Sequence, residues 1–425
     1  MADYIPFHIQ QNIMKMLPVE SLIRFRLVSK KWKSLIDSSE FIVAHTLTRR
    51  TNQQHHIMIR YIDVEEDEIK YVSIVDDDDD DDDDDHDDDD DDDGDDDDDD
   101  DDDDGGDGDD GGDDDGDDGD DYDDDDGDDD DDDDDDDEDD DDILQIPTLV
   151  GVYDVAGTSH GLLCFFGSDK SGSDIAVILN PSIRACVDVP LPNVIYNEYN
   201  ERFVRFGVHP NTLDPMIVYM AFNHCFQWQV EVFTLSDGTW RPPLCSSSDV
   251  FCETNCFQRY QVVIGKFIYW LSVDTSNENS GNSVVSFDMD TEECTRINLP
   301  RCLSYARSPL SDISISKLRD SLAVYDYIGG DFEIWVMEPG IASSFSKLYT
   351  CTSPYGDHIR KVLGFGKNGA PIVELEDDTQ FRYPCIVVAA VSDPYLKHLS
   401  RIGVRGRSRT FDAYFYEETL LLCDY

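Results

Sequence analysis

A long stretch rich in aspartate and glycine, residues 76–142, constrains the fold of this chain more than any other feature. Its 67 residues include 55 Asp, nine Gly and one Glu. Such a segment has almost no apolar side chains to bury, and its like charges repel each other, so we predict that it is disordered and expanded. Strand-like runs border it on both sides, and a long loop costs a folded domain little extra entropy. We therefore interpret the tract as an insertion into a surface loop.

The same tract carries most of the charge of the chain. The formal net charge is −66, but the other 358 residues hold 42 acidic and 32 basic side chains, a net of −10. That balance is typical of an ordinary soluble protein. The tract could attract basic proteins or weakly bound cations through long-range electrostatics. A low-complexity expansion without a function of its own explains the tract equally well.

Targeting signals and cysteine usage indicate an intracellular protein. Gln10, Gln11 and Asn12 interrupt any apolar run near the start, which argues against a secretory signal. No run approaches about 18 apolar residues, so we expect no membrane span. The 11 cysteines lack CxxC pairs, which favours reduced thiols over a zinc site. We expect a location in the nucleus or the cytoplasm, with no metal and no cofactor.

Residues 1–50 show helical periodicity. Apolar side chains recur along one helix face at Ile5, Ile9, Ile13 and Met16. Pro18 interrupts this pattern, and two further apolar faces follow it, around Leu22 and around Trp32. Ser29 is a candidate N-cap for the third helix, because its hydroxyl can accept an early backbone N–H. We predict three short helices, whose small core would gain stability by packing on a partner.

Residues 143–425 read as an all-β region. Short apolar runs alternate with turn residues there: 161–166, 175–179, 216–220, 230–233, 266–271, 284–287, 322–325 and 333–336. Residues 51–75 contain two more strand-like runs, and they are either the first strands of the β domain or a linker.

The strand pattern repeats. A turn followed by a polar closing segment recurs with basic markers separated by 57, 55 and 51 residues, namely Arg184, Arg241, Arg296 and Lys347. A period near 50 with about four strands per unit predicts the blades of a β-propeller, closest in length to kelch repeats. A twisted β-sandwich is the alternative.

Motifs in both the helical segment and the β region resemble those of a known family. Residues 5–36 combine two prolines with the run Arg24-Phe-Arg-Leu-Val-Ser-Lys-Lys-Trp32, and Phe41 and residues 45–47 follow at the end. This pattern resembles a plant F-box. The segments 157–164, 179–184, 285–292 and 318–337 resemble parts of an F-box-associated domain of the kelch-like type.

The resemblance implies that the helical segment binds a Skp-type adaptor and, through it, a cullin scaffold. The residues that it assigns to the small core and that interface are Ile5, Pro6, Ile9, Ile13, Leu17, Pro18, Leu22, Phe25, Val28 and Trp32. The β domain would then hold an unidentified protein substrate for ubiquitination. His8 and Asn12 stand where the family usually has acidic residues, so we expect weakened adaptor binding.

Other classes of function find less support in the sequence. It contains no nucleophile elbow, P-loop, HExxH motif or Rossmann glycine run, so we expect no catalytic residues. The basic cluster at Lys30, Lys31 and Lys33 fits a solvated helix face better than a nucleic-acid site. The competing hypothesis is a polyanionic binder of basic proteins or cations through residues 76–142, with a degenerate F-box.

Overall fold

The computed structural model describes the chain from residue 5 to residue 423 with internal gaps. The undescribed residues are 1–4, 50–54, 65, 77–148, 194–201, 224, 226, 246–249, 252–254, 275–280, 305–312, 329–330, 339–343, 352–357, 377–385, 392–398, 402–403, 405 and 424–425. The predicted disorder of the acidic tract therefore lies outside the described residues, apart from Asp76.

A helical module, residues 5–49, opens the described chain. Its helices are α1 (Phe7–Met14), α2 (Val19–Arg26), α3 (Lys30–Ile36) and α4 (Ser39–Arg49). Pro6 and Pro18 directly precede α1 and α2, where a missing N–H removes no helical hydrogen bond. The predicted cap at Ser29 is confirmed, since the Trp32 amide donates to the Ser29 hydroxyl at 3.2 Å.

The prediction of three helices in this segment was wrong, because the structure has the fourth helix α4. The Phe41 amide donates to the Ser38 hydroxyl at 3.4 Å, which caps the start of α4. Phe41 and Ile42 are buried, and so is His45, whose Nε2 donates to the Leu17 carbonyl at 2.9 Å. His45 thus occupies a buried position of α4 where a helical pattern predicts an apolar side chain. The apolar pattern of α4 is therefore interrupted, and the helix was not recognised from the sequence.

The rest of the described chain is a β-propeller of six sheets, which we number as blades. In chain order the first three blades contain β1 (His55–Ile62), β2 (Ile69–Asp76), β3 (Leu149–Ser159), β4 (Leu162–Asp169), β5 (Asp174–Asn180), β6 (Ala185–Pro190), β7 (Arg202–Val208), β8 (Pro215–Phe222), β9 (Trp228–Thr234) and β10 (Trp240–Arg241). The next strands are β11 (Asn255–Ile264), β12 (Phe267–Asp274), β13 (Asn282–Asp288), β14 (Glu293–Asn298), β15 (Ile313–Leu318), β16 (Ser321–Ile328), β17 (Asp331–Met337), β18 (Phe345–Cys351), β19 (His358–Phe365), β20 (Pro371–Glu376), β21 (Ile386–Val391), β22 (Leu399–Arg401) and β23 (Asp412–Glu417), with the short helix α5 (Arg301–Ser304) after β14.

Blades 2 to 6 are antiparallel four-stranded sheets made of consecutive strands: β3–β6, β7–β10, β11–β14, β15–β18 and β19–β22. The first strands of neighbouring blades contact each other, so they surround the central axis of the ring. The predicted order of a small helical module followed by an all-β propeller is confirmed, and the alternative β-sandwich does not form. Six of the eight apolar runs named above fall within one of these strands, and the runs 161–166 and 266–271 each begin one residue before theirs.

Blade 1 closes the ring by pairing both ends of the β region. Its sheet has the order β2-β1-β23 among the described residues, with β23 in the inner position. Ile57 of β1 faces Phe415 of β23 on one side and Ile74 of β2 on the other. Strands on both sides of the acidic tract therefore belong to one propeller, and the tract connects β2 of blade 1 to β3 of blade 2.

Candidate functional site

The helical module exposes an apolar face. Exposed fractions are 50% for Ile5, 40% for Ile9, 47% for Ile13 and 63% for Val28. Pro6 and Pro18 are exposed as well, so six of the ten sequence-predicted adaptor residues face solvent. A cluster of large exposed aliphatic side chains is unusual on a surface without a partner and marks an interaction site.

The other four predicted residues contribute to packing inside the module. Leu22 is fully buried, while Leu17, Phe25 and Trp32 are half-buried against the same apolar core. The rings of Phe25 and Trp32 lie 5.2 Å apart, and the Trp32 indole donates to Gln10 Oε1 at 3.1 Å, which joins α3 to α1. The assignment of these residues to an adaptor interface stays a prediction.

Three exposed apolar residues of the helical module were missing from the predicted set: Met16, Leu27 and Leu47 of α4. Met16 is 74% exposed and Leu27 is 89% exposed, and each follows one of the module's helices closely. The spacing of four, four and three residues from Ile5 already extended to Met16, so periodicity could have placed it there. Leu27 carries no periodic signal, because it lies in the turn between α2 and α3.

A C-terminal tail, residues 418–423, fastens the helical module to blade 2. Asn180 at the end of β5 is fully buried and donates to the carbonyls of Thr419 at 2.9 Å and Leu421 at 2.7 Å. Residues 420–423 are buried in the same apolar cluster as Leu22 and Ile36 of the module. The tail thus contributes side chains to a core that is shared by the module and the propeller.

Polar contacts and one glycine complete this junction. Arg26 of α2 donates to the Cys423 carbonyl at 3.0 Å and pairs with Asp37 at 2.6 Å. Gly161, in the β3–β4 turn, has φ +79°, and a Cβ there would lie 2.1 Å from the Glu417 carbonyl oxygen. Only glycine fits this site, so Gly161 allows the tail to leave β23 beside blade 2.

A β-bulge in β11 occupies the centre of the propeller. Phe257 pairs with Ser272 and Gln261 pairs with Trp270, so residues 258–260 stand opposite a single residue of β12. We refer to residues 258–260 as the central bulge. Bulges redirect side chains and end regular pairing, and they are common next to functional sites.

The central bulge contacts blades 2, 3 and 5 from its position in blade 4. The Gln258 amide donates to the Ile313 carbonyl of blade 5 at 2.9 Å, and Arg259 pairs with Asp154 of blade 2 at 2.7 Å. Arg205 of blade 3 donates to the Arg259 carbonyl at 3.0 Å. Burial lowers the pKa of Arg205 to about 9, so its guanidinium is still charged at neutral pH.

The third residue of the central bulge reaches the two remaining blades. Tyr260 donates to Asp412 of blade 1 at 2.7 Å and accepts from Lys361 of blade 6 at 2.9 Å. Burial raises the pKa of Tyr260 to about 12, which keeps its hydroxyl protonated and able to donate. Burial would lower the pKa of Lys361, but the carboxylate of Asp412, 2.7 Å away, outweighs it and raises that pKa. One segment thereby ties all six blades together at the axis.

Comparison with known families identifies both parts of the chain. Residues 3–43 match the F-box domain, and residues 133–364 match the F-box associated beta propeller domain. The second match covers more than half of the chain. The first match is the helical module and the second is the propeller, and domains of these two kinds are typically non-catalytic. The chain belongs to the family of F-box proteins with an F-box associated beta propeller domain.

Individual relatives cover parts of the chain. The putative F-box protein At3g47150 of Arabidopsis thaliana is 39% identical over 70 residues, 16% of this chain and 19% of that protein. The F-box/kelch-repeat protein At3g23880 of the same plant is 24% identical over 202 residues, 46% of this chain and 52% of that protein. The chain thus matches about a fifth and about half of the lengths of these relatives.

Solved structures include propellers with a distant likeness. A six-bladed fungal lectin from Aleuria aurantia is 11% identical, with a TM-score of 0.36, and the match covers 63% of this chain and 81% of the lectin. Among the helices that the structure describes, none is both long and apolar enough to cross a membrane.

Proposed function

We propose that this protein is a substrate-recognition adaptor of an SCF-type E3 ubiquitin ligase. The helical module binds a Skp-type adaptor and thereby a cullin scaffold, while the propeller binds a target protein. The complex accelerates ubiquitin transfer by holding target lysines near a loaded E2 enzyme, so proximity replaces side-chain chemistry in this chain. On this proposal the protein has no catalytic activity of its own and works in the nucleus or the cytoplasm.

The observation that carries the proposal is the division of the helical module into two faces. One face is buried against the C-terminal tail and blade 2, and the opposite one exposes Ile5, Ile9, Ile13 and Val28. Since these side chains are already about half covered, burying the rest of each in a partner is worth about 1 kcal/mol, or several kcal/mol for the four together. The exposed face therefore supplies enough apolar surface for a stable helix-in-groove contact.

The test is a pull-down of the purified full chain with a Skp-type adaptor. We expect Ile9→Glu/Ile13→Glu to weaken binding by more than about tenfold, because two charges would enter an apolar contact. Both positions are exposed, so the free energy of unfolding should change by less than about 0.5 kcal/mol. Thermal unfolding of the variant checks this point.

The matched control is Ser39→Glu/Thr48→Glu, which adds the same two charges on α4, a helix with none of the predicted adaptor residues. This control should bind as the wild type does. Failure of the wild type to bind would reject the ligase role. Equal binding by both double variants would reject the interface assignment, and the adaptor would then have to bind another face of the module.

A further inference from the structure

The central channel is a positively charged region on an acidic protein. It holds a cavity of about 1250 Å³ whose lining includes eight Lys or Arg residues against four Asp or Glu residues. The chain outside residues 76–142, by contrast, has a net charge of −10. A concave site lined by one sign of charge focuses its field and concentrates ligands of the opposite sign.

The channel has two distinct ends. The module end carries the β3–β4 turn with Gly161, where the C-terminal tail leaves β23. The far end is where β7 begins at Arg202 and β23 begins at Asp412. Arg60 of β1 pairs with Asp412 in register and so belongs to the far end as well.

The cations of the far end outnumber the carboxylates beside them. Asp412 serves two cations at once, Lys361 at 2.7 Å and Arg60 at 3.4 Å. Arg202 pairs with Asp174, the first residue of β5. The terminal nitrogens of Arg205 donate to backbone carbonyls rather than to a carboxylate among the described residues, so its charge adds to this excess.

Arg259 is the most accessible of these cations. Its side chain is 74% exposed although the central bulge places it at the propeller axis, and it pairs with Asp154 at 2.7 Å. Ion pairs that exposed are worth little, so an incoming oxyanion can share or replace Asp154 at small cost. The contacts of the bulge with the other five blades hold the backbone of Arg259 in place, which reduces the entropy lost on binding.

We propose that the far end of the channel binds an acidic segment of the target protein, with Arg259 and Arg202 donating to its carboxylate or phosphate oxygens. The guanidinium fork matches both groups in a bidentate geometry. This inference rests on the proposed function and names the class of target. The site recognises oxyanions on an extended peptide. Either acidic or phosphorylated residues provide these oxyanions.

The negative charge of the acidic tract should weaken the binding of an acidic peptide, and this effect should depend on salt. Residues 76–142 repel an acidic peptide, and that repulsion is screened beyond about 8 Å at physiological ionic strength. Deleting residues 77–142 should therefore tighten peptide binding, most clearly at low salt. Both forms of the chain are needed in the assay, because comparing them isolates the effect of the charge of the tract on peptide binding.

The experiment measures fluorescence anisotropy of three labelled ten-residue peptides of matched length. One contains four glutamates, one has four phosphoserines at these positions, and one has four glutamines. We expect the two anionic peptides to bind and the glutamine peptide to remain free. Binding by the phosphopeptide alone would assign the site to phosphate, and binding by both would assign it to oxyanions in general. Absence of anionic peptide binding in both the full chain and the deletion variant would overturn the proposal.

Arg259→Gln/Arg202→Gln should weaken anionic peptide binding by about tenfold or more, since it removes two charge-assisted contacts. The matched control is Lys317→Gln/Arg319→Gln, which removes two exposed charges from the module end of the same channel. Equal losses in both variants would show general electrostatics and contradict a site at the far end. Adaptor pull-down with the same variants separates the two hypotheses, because a wrong peptide site leaves adaptor binding intact.

Discussion

Glu374 of β20 is a carboxylate with no exposed side-chain surface. Its Oε1 accepts from the Arg409 amide at 2.6 Å, while Oε2 has no hydrogen-bond partner within the described part of the chain. Burial raises the pKa of Glu374, and the Arg409 amide only partly offsets this effect. Ionisation of Glu374 is therefore less favourable in the folded protein than in the unfolded chain.

The substitution Glu374→Gln should stabilise the protein at neutral pH and leave it unchanged in acid. A raised pKa in the folded state means that the protonated glutamate contributes stability below its unfolded pKa of about 4.3, and that this contribution is lost as pH rises through the folded pKa. At pH 8 we expect the variant to be more stable by about 1–3 kcal/mol. Urea unfolding at pH 4 and pH 8 measures the difference.

Glu293→Gln is the control for this prediction, because Glu293 is exposed on β14. Its stability relative to the wild type should not vary between the two pH values. A Glu374→Gln variant that is less stable than the wild type at pH 8 would show that the ionised carboxylate is favourable in the fold.

The role of a residue could be predicted from the sequence where its partners lie a few positions away in the chain. Ser29 could be recognised as a cap because the groups it satisfies lie three residues away. His45 and Glu374 were missed, because their buried environment comes from distant segments and nothing in the neighbouring sequence marks it. The exposed residues of α1 were located by periodicity, but periodicity does not tell which apolar face packs on the propeller and which one faces solvent.

At the scale of elements, the C-terminal tail determines how the helical module sits on the propeller. Asn180 is the polar anchor of this junction, with two buried hydrogen bonds to the tail. Removing its amide leaves the carbonyls of Thr419 and Leu421 without these donors. Unsatisfied buried acceptors of this kind cost about 1–3 kcal/mol each.

Asn180→Ala should therefore loosen α2, which packs on the tail through Leu22 and Arg26. We expect amide hydrogen exchange in α2 to accelerate by more than about tenfold, while the central strands of blade 4 keep their protection. Hydrogen exchange followed by mass spectrometry resolves the two regions.

The control is Asn282→Ala, since Asn282 of blade 4 is also buried but donates to the Leu303 carbonyl of α5, at 3.3 Å. This variant should lower stability without accelerating exchange in α2 selectively. Unchanged exchange of α2 in Asn180→Ala would mean that apolar packing alone holds the module in place.

The strands themselves were largely predictable, and their long-range partners were not. Short apolar runs between turn residues are a local signal, so the runs in blades 2 to 5 were recognised. The pairing of Ile57 with Phe415 joins residues that are far apart in the chain, and neither strand encodes its partner. The central bulge is likewise defined by five other blades, so no local pattern reveals it.

For the whole molecule, ring closure by β23 explains how a long insertion is tolerated. The described strands on both sides of the tract are held by separate pairings, β2 by β1 and β3 by β4. β2 and β3 belong to different sheets, so the fold does not require a particular length of chain between them. Loop entropy changes only logarithmically with length, so a shorter connection should be at least as favourable.

Deleting residues 77–142 tests the polyanion hypothesis against the adaptor role. The deletion keeps β2 whole, removes 55 acidic side chains and changes the formal net charge from −66 to −11. We expect unaltered adaptor binding and a midpoint of thermal unfolding at or above that of the full chain, because self-repulsion is relieved. A variant with serine in place of each aspartate of residues 77–142 keeps the length and isolates the effect of charge.

The polyanion hypothesis predicts that histones bind the full chain only, with an affinity that falls steeply as salt rises. Loss of adaptor binding in both variants would contradict the adaptor model and make the tract part of the docking surface.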